Sequence, residues 1–201
     1  NDTPAGQRIE AEVVALADDA MEGRETGTPG YDRAAGYVAE RFAALGLEPA
    51  GDDGGWRQAV PLLKGTALAE GARLEVRRGG QATALELRTQ FLPGADFNRE
   101  RSEVEAPAVF VGQAVHAPEL GHDDFAGLDL RGKIAVVFGG APGTFDDTRR
   151  AFHSSWREKL RNLVERGAIG AVMVNTADDE ARYPWARTAE QFGRPSMRLR
   201  G

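Results

Sequence analysis

The residues of this chain whose types and spacing could do chemistry lie in GHDDFAGLDLRGKIAVVFGG, beginning at Gly121. His122 and Asp124 form an H-x-D pair, and an imidazole and a carboxylate at that spacing can share one metal ion. Zinc requires three or four converging ligands, a catalytic ion leaving one position to water. The chain holds three histidines, His116, His122 and His153, and no cysteine, which closes the thiolate options. No two glutamates are adjacent, so the usual bridging carboxylate beside a general base is missing as well. The expectation is that His122 and Asp124 are loop residues whose likeness to a metal pair is coincidental, and that the chain carries no catalytic or metal-binding residue and no cofactor of its own.

Two further chemistries are weighed on the same terms. Ser154 beside His153 does not make a nucleophile and its base, because chain neighbours do not ordinarily face each other and no nucleophile-elbow motif is present. The loop GGAPGTFDD has Gly139, Gly140 and Gly143 at spacings that fit neither a P-loop nor a dinucleotide fingerprint, and Asp146 and Asp147 would repel phosphate.

The elements that must position these residues follow from periodicity. Ile9, Val13, Leu16 and Ala20 form one helical stripe, broken by MEGRETGTPG. A second helix starts with Thr28 as N-cap and Pro29 at the first helical position. Tyr31, Ala34, Ala35, Val38, Phe42 and Leu45 line it; Gly46 ends it, with Leu47 folding back in a Schellman arrangement. After the turn-rich EPAGDDGGW, a strand is expected over 58–63. The period then changes to two: Leu74 and Val76, a Gly79-Gly80 turn, then Leu85 and Leu87 predict a hairpin. A further strand is expected over 108–115.

The last third reads as βαβ. The runs 133–138 and 168–174 suit buried parallel strands. Between them a Ser155–Glu158 capping box would start a helix with the apolar stripe Trp156, Leu160, Leu163 and Val164, closed by Gly167. Arg149, Arg150, Arg157, Lys159, Arg161 and Arg166 outnumber Glu158 and Glu165 in this region, and the interleaved signs predict a solvated helix face. The alternative is an interaction surface built from Arg157 and Arg161 with Tyr183 and Trp185 of RYPWARTAEQF, since aromatics and arginine are enriched at binding hot spots. Against it stands the reading that these aromatics anchor a loop to the sheet.

Composition narrows the classes. With 201 residues, 41% hydrophobic and 28% charged, the chain is an ordinary globular protein of one or two domains. A net charge of −6 argues against a nucleic-acid partner. No apolar run is long enough for a membrane span.

Two stretches resemble a known family. LADDAMEGRETGTPGYDRAAGYVAERFAALGLEPAGD, Leu16 to Asp52, resembles the opening of bacterial zinc aminopeptidases of the leucyl-aminopeptidase and glutamate-carboxypeptidase family, where a GR-x-TGT-x-G turn leads into the first helix of the α/β catalytic domain. VFVGQAVHAPELGHDDFAGLDLRGKIAVVFGGAPGTF, Val109 to Phe145, resembles the protease-associated (PA) domain inserted in many members, with its hallmark YDDYAGLDVKGKIVVV. His122 falls where that hallmark has an aromatic. The resemblance implies that the family's zinc ligands lie in a catalytic domain beyond Gly201, so zinc belongs to the parent and not to this chain.

It also implies a mixed α+β or α/β fold, N-terminal helices followed by a PA domain, a β-rich sandwich or open barrel with a βαβ unit. Residues 1–66 would be an incomplete helical segment of a peptidase domain and 67–201 a PA domain, with truncation at its C-terminal end left open. The implied role is non-catalytic: shaping access to an exopeptidase's cleft, or binding peptides and proteins. An autonomous PA-type interaction module is the alternative. The implied partners are the missing catalytic domain and a peptide or protein substrate, and the implied location is periplasmic or extracellular. In this reading Asp123 and Asp124 shape the loop through side-chain-to-backbone hydrogen bonds, Phe125 and Leu128 bury beneath it, and Gly127 and Gly132 permit tight turns.

Overall fold

The computed structural model describes residues 3–200. The chain divides between Pro61 and Leu62 into two compact units. As the sequence predicts, helices open the chain and a strand-containing unit follows.

The first unit holds α1 (Pro4–Ala17) and α2 (Pro29–Ala44). Thr28 caps α2, its hydroxyl accepting from the Tyr31 amide, and Pro29 follows at the first turn. At the other end Gly46 adopts φ 75°, the Gly46 amide donates to Ala43 and the Leu47 amide to Phe42, which is the predicted Schellman pattern. The helices meet through polar groups: Glu12 accepts from the Tyr37 hydroxyl at 2.5 Å and from Arg41 Nε at 2.7 Å. The stripe residues Ile9, Val13, Phe42 and Leu45 stay exposed.

Gly30 shows why the first turn of α2 needs a small residue. A Cβ built there would lie 2.1 Å from the Met21 carbonyl oxygen, so backbone occupies the space of any side chain. Gly30→Ala is therefore expected to cost the first unit about 1–3 kcal/mol, read as a lowered urea midpoint for the Trp56 fluorescence change.

The second unit carries β1 (Leu62–Gly65), β2 (Leu74–Arg78), β3 (Gln81–Leu85), β4 (Ala108–Phe110), β5 (His116–Ala117), β6 (His122–Asp123), β7 (Ile134–Phe138), α3 (Asp147–Ser154), α4 (Trp156–Glu165), β8 (Gly170–Val174), α5 (Ala177–Arg182), α6 (Trp185–Glu190) and β9 (Ser196–Leu199). Among the described residues the strands form a parallel β4-β7-β8 sheet and three antiparallel ribbons, β1-β9, β2-β3 and β5-β6. The hairpin turns at Gly79-Gly80 as predicted, both at positive φ, with Arg78 opposite Gln81.

Several expectations are corrected. The strand expected over 58–63 begins only at Leu62, because Pro61 has no N–H to give to a ladder. The strand expected over 108–115 stops at Phe110, since Gly112 at φ 49° and Ala114 at φ 53° turn the backbone left-handed. Ser155 caps no amide with its hydroxyl: it ends α3 as well as starting α4, and its own N–H is spent on the Phe152 carbonyl, so Glu158 turns to Arg161 instead. A capping box does form elsewhere, between Thr176 and Asp179 at the start of α5. Leu128 is exposed, and Leu130 takes the buried place.

The core gathers on one side of the parallel sheet, where Ala135 and Val137 of β7 meet Leu163 of α4, Val111, Ala114, Phe125 and Leu130. A second cluster of Val115, Ala117, Ala141 and Phe145 adjoins the loops. The other face of the sheet is only partly covered, and Phe110 remains exposed while packing edge-on against Phe138 at 5.0 Å.

Candidate functional site

The chemistry of the second unit concentrates where the backbone departs from the strands. Past β4, the segment 111–115 makes a turn with two left-handed residues, and Ala114, fully buried, has no glycine's freedom to adopt that conformation. Such a turn points amides and carbonyls inward without ladder partners, and buried backbone groups must be paired. Three side chains distant in sequence supply the partners. Asp124 Oδ2 accepts from the Gln113 and Val115 amides, each at 3.0 Å. Asn162 Nδ2 donates to the Ala114 carbonyl at 3.2 Å. Lys159 Nζ donates to the Gln113 carbonyl and, at 2.5 Å, to the Gly140 carbonyl of the loop after β7. Gln113 adds a second tie between the loops, its Nε2 donating to the Gly139 carbonyl at 3.2 Å.

The expected solvated face holds for Arg149, Arg150, Arg157 and Arg161, which are exposed, and is corrected at Lys159. Lys159 is 1% exposed and Asn162 4%, whereas Val164 of the predicted apolar stripe is 68% exposed and Trp156 is exposed too. Lys159, Asn162, Leu163 and Arg166 follow helical spacing, so the helix buries a face one step round from the apolar one. Burial pushes the Lys159 ammonium down to about 8, with the Asp124 carboxylate opposing that shift.

The H-x-D pair sits beside this network. His122 Nε2 lies 3.1 Å from Asp124 Oδ1, close enough for attraction, yet it is buried and makes no hydrogen bond. The other Asp124 oxygen is already engaged by two amides. Asp123 turns the loop as expected, its Oδ1 accepting from the Phe125 amide at 3.0 Å; that bond holds its carboxyl below the usual carboxylate range, helped by His116 at 3.2 Å. His153 is 7% exposed, with Nδ1 unpaired and its ring edge-on to Phe145, which His122 flanks as well. Among the described residues no three His, Asp or Glu side chains converge as a metal site requires. With one Asp124 oxygen committed and an ammonium attracted to the same carboxylate, this donor set does not fit zinc.

The four residues of the alternative surface behave differently from one another. Arg157 is exposed, and Arg161 pairs with Glu158 on its own helix. Tyr183 is 68% exposed. Trp185 acts as an anchor: its indole N–H donates to the Arg88 carbonyl at 2.6 Å, and Arg88 in turn lies over Phe192, 5.4 Å from the ring centroid. Among the described residues no hydrogen bond, ion pair or ring contact joins the arginine pair to Tyr183 or Trp185.

Lys159, Asn162 and Gln113 are the residues that sequence reasoning missed. Their one-dimensional signal is the stripe 159-162-163-166, which competes with the more apolar stripe through Leu160 and Val164 and loses on hydrophobicity alone.

Comparison with known proteins places this network within a recognised domain. Residues 104–197 match the family model described as PA domain, so the second unit carries a PA domain. Among solved structures, an aminopeptidase from Aneurinibacillus sp. strain AM-1 is similar at 16% identity and a TM-score of 0.37, over 94% of this chain and 47% of that one. The chain thus spans about half the length of that protein, and a likeness this distant carries no argument. No curated protein matches the sequence.

Proposed function

We propose that this chain is the non-catalytic, protease-associated part of a zinc-dependent exopeptidase of the aminopeptidase type, and that its PA domain shapes substrate access or binds protein partners. The PA match over residues 104–197 carries this reading. The GRETGTPG turn before α2 supports it through its resemblance to the opening of the peptidase domain. In this proposal zinc and its ligands belong to a catalytic domain of the parent protein, and the donor set around Asp124 is consistent with that division.

The chain by itself is expected to release no p-nitroaniline from amino-acid p-nitroanilides, with or without added zinc. Zinc-dependent turnover that His122→Ala abolishes would overturn the proposal.

The exposure of Tyr183 favours a second reading, an autonomous module that binds peptides through Tyr183, Arg157 and Arg161. Trp185 serves that reading only as support for the loop, since its indole N–H is already engaged.

A further inference from the structure

We propose that the Lys159 ammonium is an internal cation of the fold, locking the loops after β4 and β7 into one rim and filling the crevice between them. The carboxyl ends of parallel strands are where open α/β sheets take their ligands. Here that place is occupied by the chain's own side chain. A lysine near a surface normally lays its stem on apolar groups and sends its charge to water. Lys159 does the reverse, being 1% exposed with Nζ on two carbonyl oxygens.

The oxygens around it, the backbone carbonyls of Gln113 and Gly140, are the kind a hard cation takes. The two come from different segments: the turn after β4 and the loop after β7. One ammonium therefore ties two segments that share no strand pairing at these residues. Asp124 and Asn162 complete the hold from either side of Ala114, whose left-handed backbone persists only because its surroundings fix it. The inference rests on the second unit alone and stands or falls independently of the peptidase reading.

Amide hydrogen exchange on the full 201-residue chain tests it. Lys159→Met keeps the apolar stem and removes every donor. Exchange at Gln113 and Val115 is expected to quicken by about 5–30-fold, while the β2-β3 hairpin amides keep their wild-type rates. Lys159→Ala opens the crevice, and added n-propylammonium is expected to restore protection at both amides, whereas tetramethylammonium, with charge but no N–H, does not. Wild-type exchange at Gln113 and Val115 in Lys159→Met would overturn the proposal, as would equal rescue by the two ions. Should Lys159→Ala fail to fold, Lys159→Met decides alone.

Discussion

Asp124→Ala is expected to lower the stability of the second unit by about 3–5 kcal/mol, measured by urea unfolding with Trp156 and Trp185 fluorescence and far-UV circular dichroism. One carboxylate oxygen accepts both the Gln113 and the Val115 amide, and Val115 is buried, so alanine leaves amides without partner or water. Each such orphan costs about 1–3 kcal/mol. The same change strips the attracting charge from the buried Lys159 ammonium, which keeps its two carbonyl partners. Against a typical domain stability of about 5–15 kcal/mol this is a large fraction. Asp124→Asn keeps an acceptor oxygen in place but also removes the charge that attracts Lys159, and is expected to cost about 1–2 kcal/mol, less than alanine because no amide is orphaned. A loss below about 1 kcal/mol for the alanine variant would show that the turn finds other partners and that Asp124 is not what holds it.

That role was partly legible in the sequence. Asp123 and Asp124 read as loop-shaping carboxylates, and Asp123 turns the chain locally onto Phe125, two residues away. The partners of Asp124 lie 11 and 9 residues back, fixed by the fold and not by spacing. The same division runs through the whole chain. Thr28-Pro29, Gly46-Leu47 and Gly79-Gly80 were readable because capping and turn chemistry act over four or five residues. The Ser155–Glu158 box was misread because an 8-residue helix immediately before it takes the Ser155 amide, a competitor that the S-x-x-E pattern does not reveal.

The buried face of α4 was hidden for a deeper reason. Hydrophobic patterning assumes that a helix packs against apolar neighbours, which selects Trp156, Leu160, Leu163 and Val164, and of these Leu163 is buried in the core. In the fold, α4 faces carbonyls left free by the left-handed turn at 112–114 and by the loop at Gly140, and those groups call for donors. The turn and its proximity to α4 are tertiary features that go with the pairing of β4 and β7 and not with local spacing. The H-x-D pair is the opposite case: its spacing suggests a metal edge, and the fold engages Asp124 with two amides of the loop.

The buried lysine makes an unusual demand on pH. Burial lowers Lys159 to about 8 in the fold from the ordinary 10.5, so below pH 8 it is charged in both folded and unfolded chains and the fold bears the cost of burying that charge. Between pH 8 and 10.5 the folded chain gives up its proton while the unfolded chain keeps it. The unfolded state then binds more protons, and stability rises with pH across this window. The full difference corresponds to about 3 kcal/mol. Deprotonation need not break the network, since two carbonyls need two N–H donors and a neutral amine still has both. What is lost is the attraction to Asp124, the one charged group set against the desolvation cost. Urea unfolding of the second unit at pH 7.5 and at pH 10 (about the Lys and Tyr range) is therefore expected to show a higher midpoint at the alkaline value. Lys159→Met, which has nothing to titrate, serves as the reference for tyrosines and other lysines, and its stability is expected to lack this rise. A wild-type profile that runs parallel to that of Lys159→Met would mean that the ammonium is as well solvated by its oxygens inside the fold as by water outside it.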